Sequence, residues 1–249
     1  MDKVIENYIE GRNPVIEAFR SGKVIDKLYI LDGCNDGPIM TIKREAKKRD
    51  TFIKYVSRER LDMMSETGMH QGVIAYTAAY EYSELEDIFT LAESKGEPPF
   101  VYILDNIEDP HNLGAILRTA DAVGADGVIF KKTHAVGLTP TVAKVSAGAI
   151  DTVKCCAVTN LSRALETLQK NGWWAVGTDM DGQDYRTLNY DFNTVLVIGN
   201  EGDGISRLIR EKCDYVISLP MVGKIESLNA SVSAGILMYQ IFSTRHPLG

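Results

Sequence analysis

One arginine, Arg118, stands on a helical segment of mostly apolar residues, directly after the polar stretch DNIEDPHN at 105–112. A buried, unpaired guanidinium is very costly, so this side chain must meet an anion or line a polar cleft. On a helix it shares a face with three small residues, Gly114, Ala115 and Ala122. Such neighbours leave a groove for the backbone of another molecule, while an ion pair with one of the chain's acids stays an alternative. Asn112 is placed to act as the N-cap.

A second candidate is the turn GNEGDG at 199–204, which carries Glu201 at its centre and follows an apolar strand. Glycines allow backbone N–H groups to approach a ligand closely. The spacing matches neither the G-x-G-x-x-G dinucleotide pattern nor the phosphate-binding loop. Glu201 would also repel a pyrophosphate. The turn therefore fits a ligand that is positively charged or that donates from a hydroxyl or amino group.

The third candidate is the polar cluster SLNASVS at 227–233, which opens a long helix that then becomes thoroughly apolar. Ser227 is predicted to be the N-cap of this helix, and Asn229 lies two residues after it. The small residues that follow suit close packing against another helix, in the core or at a subunit contact.

These loops belong to a regular alternation of strands and helices, which predicts a parallel sheet covered on both faces. The runs predicted as strands are residues 100–105, 127–131, 152–158, 174–179, 194–199 and 215–220, and the predicted helices are 112–123, 139–147, 160–171, 206–212 and 227–243. Ligands of such sheets bind at the carboxyl ends of the strands, where the polar loops lie.

The first part of the chain shows a smaller α/β pattern, with Asn13 as the N-cap of a helix and Pro14 at its first position. A connecting helix follows, with a capping box predicted from Ser83 and Glu86. We predict an amino-terminal domain at 1–78, a linker at 79–98 and a larger carboxy-terminal domain at 99–249.

The net charge of −7 argues against an electrostatic nucleic-acid binder. The segment 43–60, however, holds eight basic and three acidic residues. This excess could follow a phosphate backbone or simply be a solvated helix face.

Apolar runs are far shorter than the roughly 20 residues that cross a bilayer, and the beginning of the chain lacks the apolar core of a signal peptide. We therefore expect a cytoplasmic protein. Its four cysteines form no metal-binding pattern, so we expect buried thiols and no metal site.

Taken together and in this order, the three loops resemble the three motifs of the SpoU (TrmH) family of RNA ribose 2′-O-methyltransferases, in the SPOUT superfamily. The similar segments are 105–124, 195–206 and 219–236. Residues 10–19 and 70–75 resemble the family's L30e-like RNA-binding domain. The two-domain arrangement is similar to bacterial 23S rRNA guanosine-2′-O-methyltransferases of the RlmB type.

The resemblance implies an α/β catalytic domain with a deep carboxy-terminal trefoil knot, working as a homodimer in which both subunits contribute to each site. It implies S-adenosylmethionine as the cofactor and no metal. The matching cofactor contacts are Thr178, Gly199, Leu219 and Leu228. The matching catalytic positions are Asn112, Arg118, Glu201, Ser227 and Asn229.

The implied reaction transfers a methyl group to the ribose 2′-hydroxyl of a guanosine in 23S rRNA. The family's arginine is often proposed as the general base, yet a pKa above about 12 favours a role for Arg118 in binding phosphate and stabilising the alkoxide. The alternatives are another rRNA or tRNA nucleotide, a non-catalytic RNA-binding ribosome-assembly protein, and a nucleotide-dependent oxidoreductase.

Overall fold

Two compact units make up the chain in the computed structural model, which describes residues 8–77, 80–133, 135–224 and 227–248. The amino-terminal unit comprises Met1–Glu81 with Gly137–Pro140, and the catalytic unit comprises Tyr82–Val136 and Thr141–Gly249. Among the described residues, no helix has the length and apolar character needed to cross a membrane.

The amino-terminal unit is a four-stranded mixed sheet in the order β1-β4-β2-β3, with two helices packed on one face. Its elements are β1 (Tyr8–Glu10), α1 (Arg12–Arg20), β2 (Ile25–Leu31), α2 (Gly37–Lys48), β3 (Phe52–Val56), α3 (Arg58–Met64) and β4 (Val73–Thr77). The three-residue strand β1 pairs antiparallel with β4 and was not predicted, because its identity depends on that partner.

Helix α1 begins two residues earlier than predicted, with Gly11 rather than Asn13 as the N-cap. Gly11 donates its N–H to the carbonyl of Val73 at 3.1 Å and has a φ of 93°, a value that favours glycine. The chain therefore turns at Gly11, and Pro14 lies within the first helical turn.

Six parallel strands form the sheet of the catalytic unit, in the order β10-β8-β9-β5-β6-β7. The strands are β5 (Phe100–Asp105), β6 (Gly127–Lys131), β7 (Cys155–Val158), β8 (Trp174–Asp184), β9 (Thr194–Gly199) and β10 (Tyr215–Ser218). The helices are α4 (Leu85–Lys95), α5 (Pro110–Ala122), α6 (Pro140–Ser146), α7 (Leu161–Lys170), α8 (Arg207–Arg210) and α9 (Ala230–Arg245).

Helices cover both faces of this sheet, as predicted: α5 and α9 pack together, α5 on β6 and α9 on β9, while α7 packs on β5 and β6. A continuous apolar core lies between the sheet and α7 and α8. The α/β class with a parallel sheet is confirmed, and the trefoil knot stays a prediction. The capping box of α4 is formed by Glu84 and Asp87 rather than Ser83 and Glu86, because Ser83 still pairs in extended form with the carbonyl of Cys155.

Strand β8 is longer than predicted because it leaves the sheet and returns. Val216 of β10 pairs with Gly177, but the next residue, Ile217, pairs with Gln183. Residues 178–182 therefore bulge outward at the carboxyl edge of the sheet, which is the edge where sheet ligands bind.

The end of α9 is fixed by Arg245, a largely buried cation. Its guanidinium donates to four backbone carbonyls and one hydroxyl: Tyr190 O at 3.0 Å, Pro98 O at 2.7 Å, Phe192 O at 2.7 Å, Pro99 O at 3.4 Å and Thr194 Oγ1 at 3.0 Å. Burial lowers the pKa of Arg245. This one side chain connects α9 to the segments that precede β5 and β9.

We expect Arg245→Ala to lower the unfolding free energy of the catalytic unit by about 2–4 kcal/mol, because several buried acceptors lose their donor. Both tryptophans, Trp173 and Trp174, lie in this unit, so urea unfolding followed by their fluorescence measures its stability. Arg207→Ala is the matched control, since Arg207 is 91% exposed and its pair with Glu211 lies on the surface. Equal losses in both variants would contradict the role given to Arg245.

Candidate active site

Three side chains from the three polar loops meet in one hydrogen-bonded cluster. Asn112 donates from Nδ2 to Oε1 of Glu201 at 2.6 Å. Asn229 donates from Nδ2 to the same oxygen at 2.9 Å and to Oδ1 of Asn112, also at 2.9 Å. The backbone N–H of Ala230 adds a fourth bond, to Glu201 at 3.2 Å. The cluster lies at the carboxyl ends of the neighbouring strands β5 and β9.

Asn112 serves this cluster and not the helix end, which corrects its predicted role. The N-cap of α5 is Asp109, whose side chain accepts from the N–H of His111 at 2.8 Å, and Pro110 opens the helix. Asn112 lies inside the first turn and is only 6% exposed. Because Asp109 satisfies the helix end, the amide of Asn112 is available to Glu201.

The N-cap of α9 is Asn229 and not Ser227. Oδ1 of Asn229 accepts from the backbone N–H groups of Ser231 and Val232, while its Nδ2 donates into the cluster. The amide of Asn229 accepts through Oδ1 and donates two hydrogen bonds through Nδ2, whereas a serine hydroxyl has only one hydrogen to donate. Ser227 is exposed, and it makes no hydrogen bond within the described part of the chain.

The turn that presents Glu201 depends on glycine at position 199. A Cβ there would lie 2.0 Å from the backbone carbon of Gly204, so no larger residue fits. Asn200 closes the turn, since its Oδ1 accepts from the N–H groups of Gly202 at 2.9 Å and Asp203 at 2.7 Å. This backbone geometry brings Gly199 and Gly204 close together at the base of the turn that carries Glu201.

Burial alone would raise the pKa of Glu201, but hydrogen bonds outweigh this effect. Its own N–H, the N–H of Ala230 and the amide of Asn112 all stabilise the charged form and hold the pKa below its ordinary value of 4.5. Glu201 is therefore an anion at neutral pH and acts only as a hydrogen-bond acceptor.

Arg118 does not join the cluster. It is exposed, and it makes no hydrogen bond or ion pair with any described residue, so the structure shows no structural ion pair of Arg118 within the described ranges. Arg118 lies six positions after Asn112, which on a helix is about 9 Å along the axis and roughly 120° around it. The groove predicted beside Arg118 is partly wrong. A Cβ on Gly114 would lie 2.6 Å from Cβ of Val145, so this glycine is covered by α6 of the same chain.

The four predicted cofactor positions lie at the same edge of the sheet. Gly199 ends β9, Leu219 follows β10, and Leu228 precedes the N-cap of α9. Thr178 begins the bulge of β8 and donates its hydroxyl to the carbonyl of Val197 at 3.1 Å. Leu219 and Leu228 are half-buried.

Two further groups shape this edge and were not identified from the sequence. Arg210 donates from Nε to Asp179 at 2.6 Å and from Nη2 to Asp181 at 2.6 Å, so it holds the bulge that carries Thr178. Asp105, fully buried at the end of β5, accepts from the N–H of Ser206 at 2.8 Å. No local pattern signals either contact, since each joins residues distant in sequence. In the described ranges, no cluster of His, Cys, Asp and Glu could hold a metal ion.

With this geometry established, similarity to known proteins identifies the family. Residues 99–239 match the model of the SpoU rRNA Methylase family, and residues 8–83 match the model for RNA 2′-O ribose methyltransferase substrate binding. The chain belongs to the SpoU rRNA Methylase family and is an RNA 2′-O-ribose methyltransferase. This assignment removes the oxidoreductase alternative.

Relatives and solved structures agree with the family. The chain is 50% identical over 244 residues, 98% of each chain, to YacO of Bacillus subtilis (strain 168), provisionally named as a TrmH family tRNA/rRNA methyltransferase. The SpoU methyltransferase AviRb from Streptomyces viridochromogenes, crystallised with AdoMet, aligns with 25% identity and a TM-score of 0.61, over 96% of this chain and 90% of that one. The A. aeolicus TrmH/SpoU tRNA modifying enzyme aligns with 29% identity and a TM-score of 0.56, over 65% of this chain and 82% of that one.

The lowered pKa of Glu201 predicts a pH-dependent contribution to stability. Its folded-state pKa lies below the unfolded value, so the charged form stabilises the protein above about pH 4.5, and this stabilisation is lost as the pH falls further. We expect Glu201→Gln to melt below wild type at pH 7, with the difference shrinking as the pH falls below about 4.5. Melting followed by tryptophan fluorescence checks this.

Glu93→Gln is the control for loss of one negative charge, because Glu93 is exposed on α4 and has no bonding partner among the described residues. A difference for Glu201→Gln that stays constant down to pH 3 would show that the carboxylate is not the group responsible.

Proposed function

We propose that this protein methylates the ribose 2′-hydroxyl of one guanosine in 23S rRNA, with S-adenosylmethionine as the methyl donor, and that it acts as a homodimer in the cytoplasm. The observation that carries the proposal is the meeting of Asn112, Glu201 and Asn229, one from each family motif, at the carboxyl edge of a parallel sheet. That edge is where sheets of this kind bind ligands.

The residues present at this edge suit the cofactor. S-adenosylmethionine, when bound, supplies an electrophilic methyl carbon on a positively charged sulfonium. The ionised carboxylate of Glu201 is of the complementary charge. Half-buried Leu219 and Leu228 offer apolar surface to an adenine ring, and the backbone at Gly199 offers polar groups. We assign Thr178, Gly199, Leu219 and Leu228 to the cofactor site.

The reaction requires that the ribose oxygen be aligned with the methyl carbon and that its proton be removed. The bound methyl donor would supply the methyl carbon to the 2′-oxygen and keep the electrons of the broken carbon–sulfur bond, while the hydroxyl proton would leave to a phosphate oxygen or to water. Asn112, Glu201 and Asn229 hold each other's orientation and border the ribose, with Ser227 beside them. The cluster acts by positioning, because Oε1 of Glu201 and the amides of Asn112 and Asn229 are already bonded to one another.

Arg118 supplies positive charge for the RNA. Its guanidinium is exposed and without an acid partner in the described chain, so it is available to a phosphate oxygen next to the target ribose. From there it would stabilise the negative charge that develops on the 2′-oxygen. An arginine is protonated at all working pH values, and we therefore assign it electrostatic stabilisation rather than proton abstraction.

A homodimer is supported by an exposed apolar row on α9. Val232, Ile236 and Tyr239 follow one another at helical spacing, and Val232 and Tyr239 are each 50% exposed. This helix packs against α5, which carries Arg118 on its own exposed face. We propose that two copies join through these helices and that Arg118 of one subunit serves the cluster of the other.

The choice of substrate rests on the family and on relatives. The matched family model is named for rRNA, whereas the name of YacO gives both tRNA and rRNA. The amino-terminal unit matches a substrate-binding model, and we assign it the RNA contacts that select the site. A tRNA or another rRNA nucleotide is the alternative within the same chemistry.

Mapping 2′-O-methyl groups across total RNA, from cells with and without the gene, tests the proposal. We expect one site to disappear, at a guanosine of 23S rRNA, and to return with the wild-type gene but not with Arg118→Ala. Loss of a tRNA site instead would select the alternative substrate. An unchanged methylation map would refute the assigned reaction.

Arg118→Ala should lower the rate of methyl transfer by about 10² to 10³, the usual effect of removing one charge-stabilising donor. The rate of Arg118→Lys should lie between those of wild type and Arg118→Ala, because lysine keeps the positive charge but lacks the planar guanidinium. Cofactor affinity, measured by calorimetry, should stay near the wild-type value. A parallel fall in cofactor affinity would make Arg118 a structural residue.

Mixing two inactive variants tests whether each site takes residues from both subunits. After random re-association of Arg118→Ala with Glu201→Ala, roughly a quarter of the wild-type rate should return, because half the dimers are mixed and each has one intact site. Sites built from a single chain would give no recovery. Melting of each variant beforehand verifies that both are folded.

A further inference from the structure

The loop between β2 and α2, at residues 32–36, anchors a lysine without any acid partner. Lys43 Nζ donates to the carbonyl of Cys34 at 2.9 Å and to Oδ1 of Asn35 at 2.8 Å. Both acceptors are neutral, and Lys43 forms no ion pair within the described residues. The ammonium group of Lys43 is therefore held in place, and no acid among the described residues neutralises its charge.

The same loop also holds an arginine. Arg12 donates from Nη2 to Asp36 at 2.6 Å and from Nε to the carbonyl of Gln71 at 3.0 Å. Gln71 itself has a φ of 50°, uncommon for a residue with a side chain, and its Oε1 accepts the backbone N–H of Arg12 at 3.2 Å. These contacts fix the loop at residues 32–36, which in turn holds Lys43.

An exposed aromatic ring lies against that lysine. Tyr55 belongs to β3, the edge strand of its sheet, and is 50% exposed. Lys43 Nζ lies 4.9 Å from the centroid of its ring. A cation at this distance is attracted to the π face of the ring. The pair therefore presents an open aromatic surface next to a fixed positive charge.

Basic side chains of α2 continue this charge. Arg44 and Lys48 are 68% and 64% exposed, and Lys47 is exposed beside them. Glu45 compensates part of the charge through Lys48 and Arg49, but Lys47 has no ion pair in the part of the chain that the structure describes. A polyanion finds net positive charge along this helix.

We infer that Tyr55, with Lys43 against its ring, is a stacking site for one unpaired base of the RNA, whose phosphates follow the basic side chains of α2. The inference rests on the proposed function, since it names where the amino-terminal unit contacts that RNA. Proteins that bind single-stranded RNA combine these two elements, an aromatic ring for a base and cations for the backbone.

The test measures binding of the full-length protein to a fluorescein-labelled single-stranded 12-nucleotide RNA of mixed sequence. We expect Tyr55→Ala to weaken binding roughly 10- to 100-fold, the range for loss of one stacked base. Tyr55→Phe should bind like wild type, because the ring alone stacks. Tyr55 is half exposed, so the alanine variant should fold, and circular dichroism verifies this.

Salt dependence separates stacking from charge. Lys43→Met should reduce the slope of log Kd against log salt by about 0.7, the value for one phosphate contact on a single strand. Tyr55→Ala should leave that slope unchanged while lowering affinity at every salt concentration. Duplex RNA of the same sequence should show little difference between wild type and Tyr55→Ala.

Equal affinities of wild type and Tyr55→Ala for the single strand, or no binding by wild type, would overturn the inference. Either result leaves the methylation map unaffected. Conversely, an unchanged map together with weakened binding in Tyr55→Ala would refute the assigned reaction and keep the RNA site.

Discussion

A single carboxylate oxygen, Oε1 of Glu201, is the point on which the catalytic unit depends. It receives donors from the first turn of α5 and from the start of α9, and the asparagines that supply them lie 117 residues apart in the chain. Bonds to a charged acceptor are about twice as strong as neutral ones. The convergence is possible only because β5 and β9 are neighbours, so that their loops leave the sheet side by side. At the other end of α9, about 24 Å away, Arg245 fixes the same helix to the segments preceding these strands.

The strands were predictable from sequence because their limits coincide with changes from apolar to polar residues. The bounds predicted for β5, β6 and β9 match the structure. Helix starts were less predictable, since several neighbouring side chains could cap each one. The N-cap of α5 is Asp109, which leaves Asn112 available to Glu201, and the N-cap of α9 is Asn229 rather than Ser227. Both asparagines also contact Glu201, a residue distant in sequence, and local sequence does not contain that contact.

The motif resemblance predicted Asn112, Arg118, Glu201, Ser227 and Asn229 as catalytic positions but not how they are bonded. Three of them, Asn112, Glu201 and Asn229, are joined by hydrogen bonds in the structure. Helix geometry separates Arg118 from that set, an effect that a motif written as a line of letters cannot show. Contacts such as Arg210 with Asp179 join different elements and carry no signal along the chain.

Electrostatics of this chain work locally rather than through net charge. There are 34 acidic and 27 basic residues, an excess that would repel RNA at long range. At physiological salt, however, charges beyond about 8 Å are largely screened, so the nearest groups decide. Several cations are neutralised within the protein, as Arg12 is by Asp36 and Arg210 by two aspartates. Lys43 and Arg118 have no acid partner in the described ranges, and they lie in different units. In an acidic protein, a polyanion binds at the few cations that have no acid partner and is repelled by the rest of the surface. This difference favours one orientation of the RNA over others.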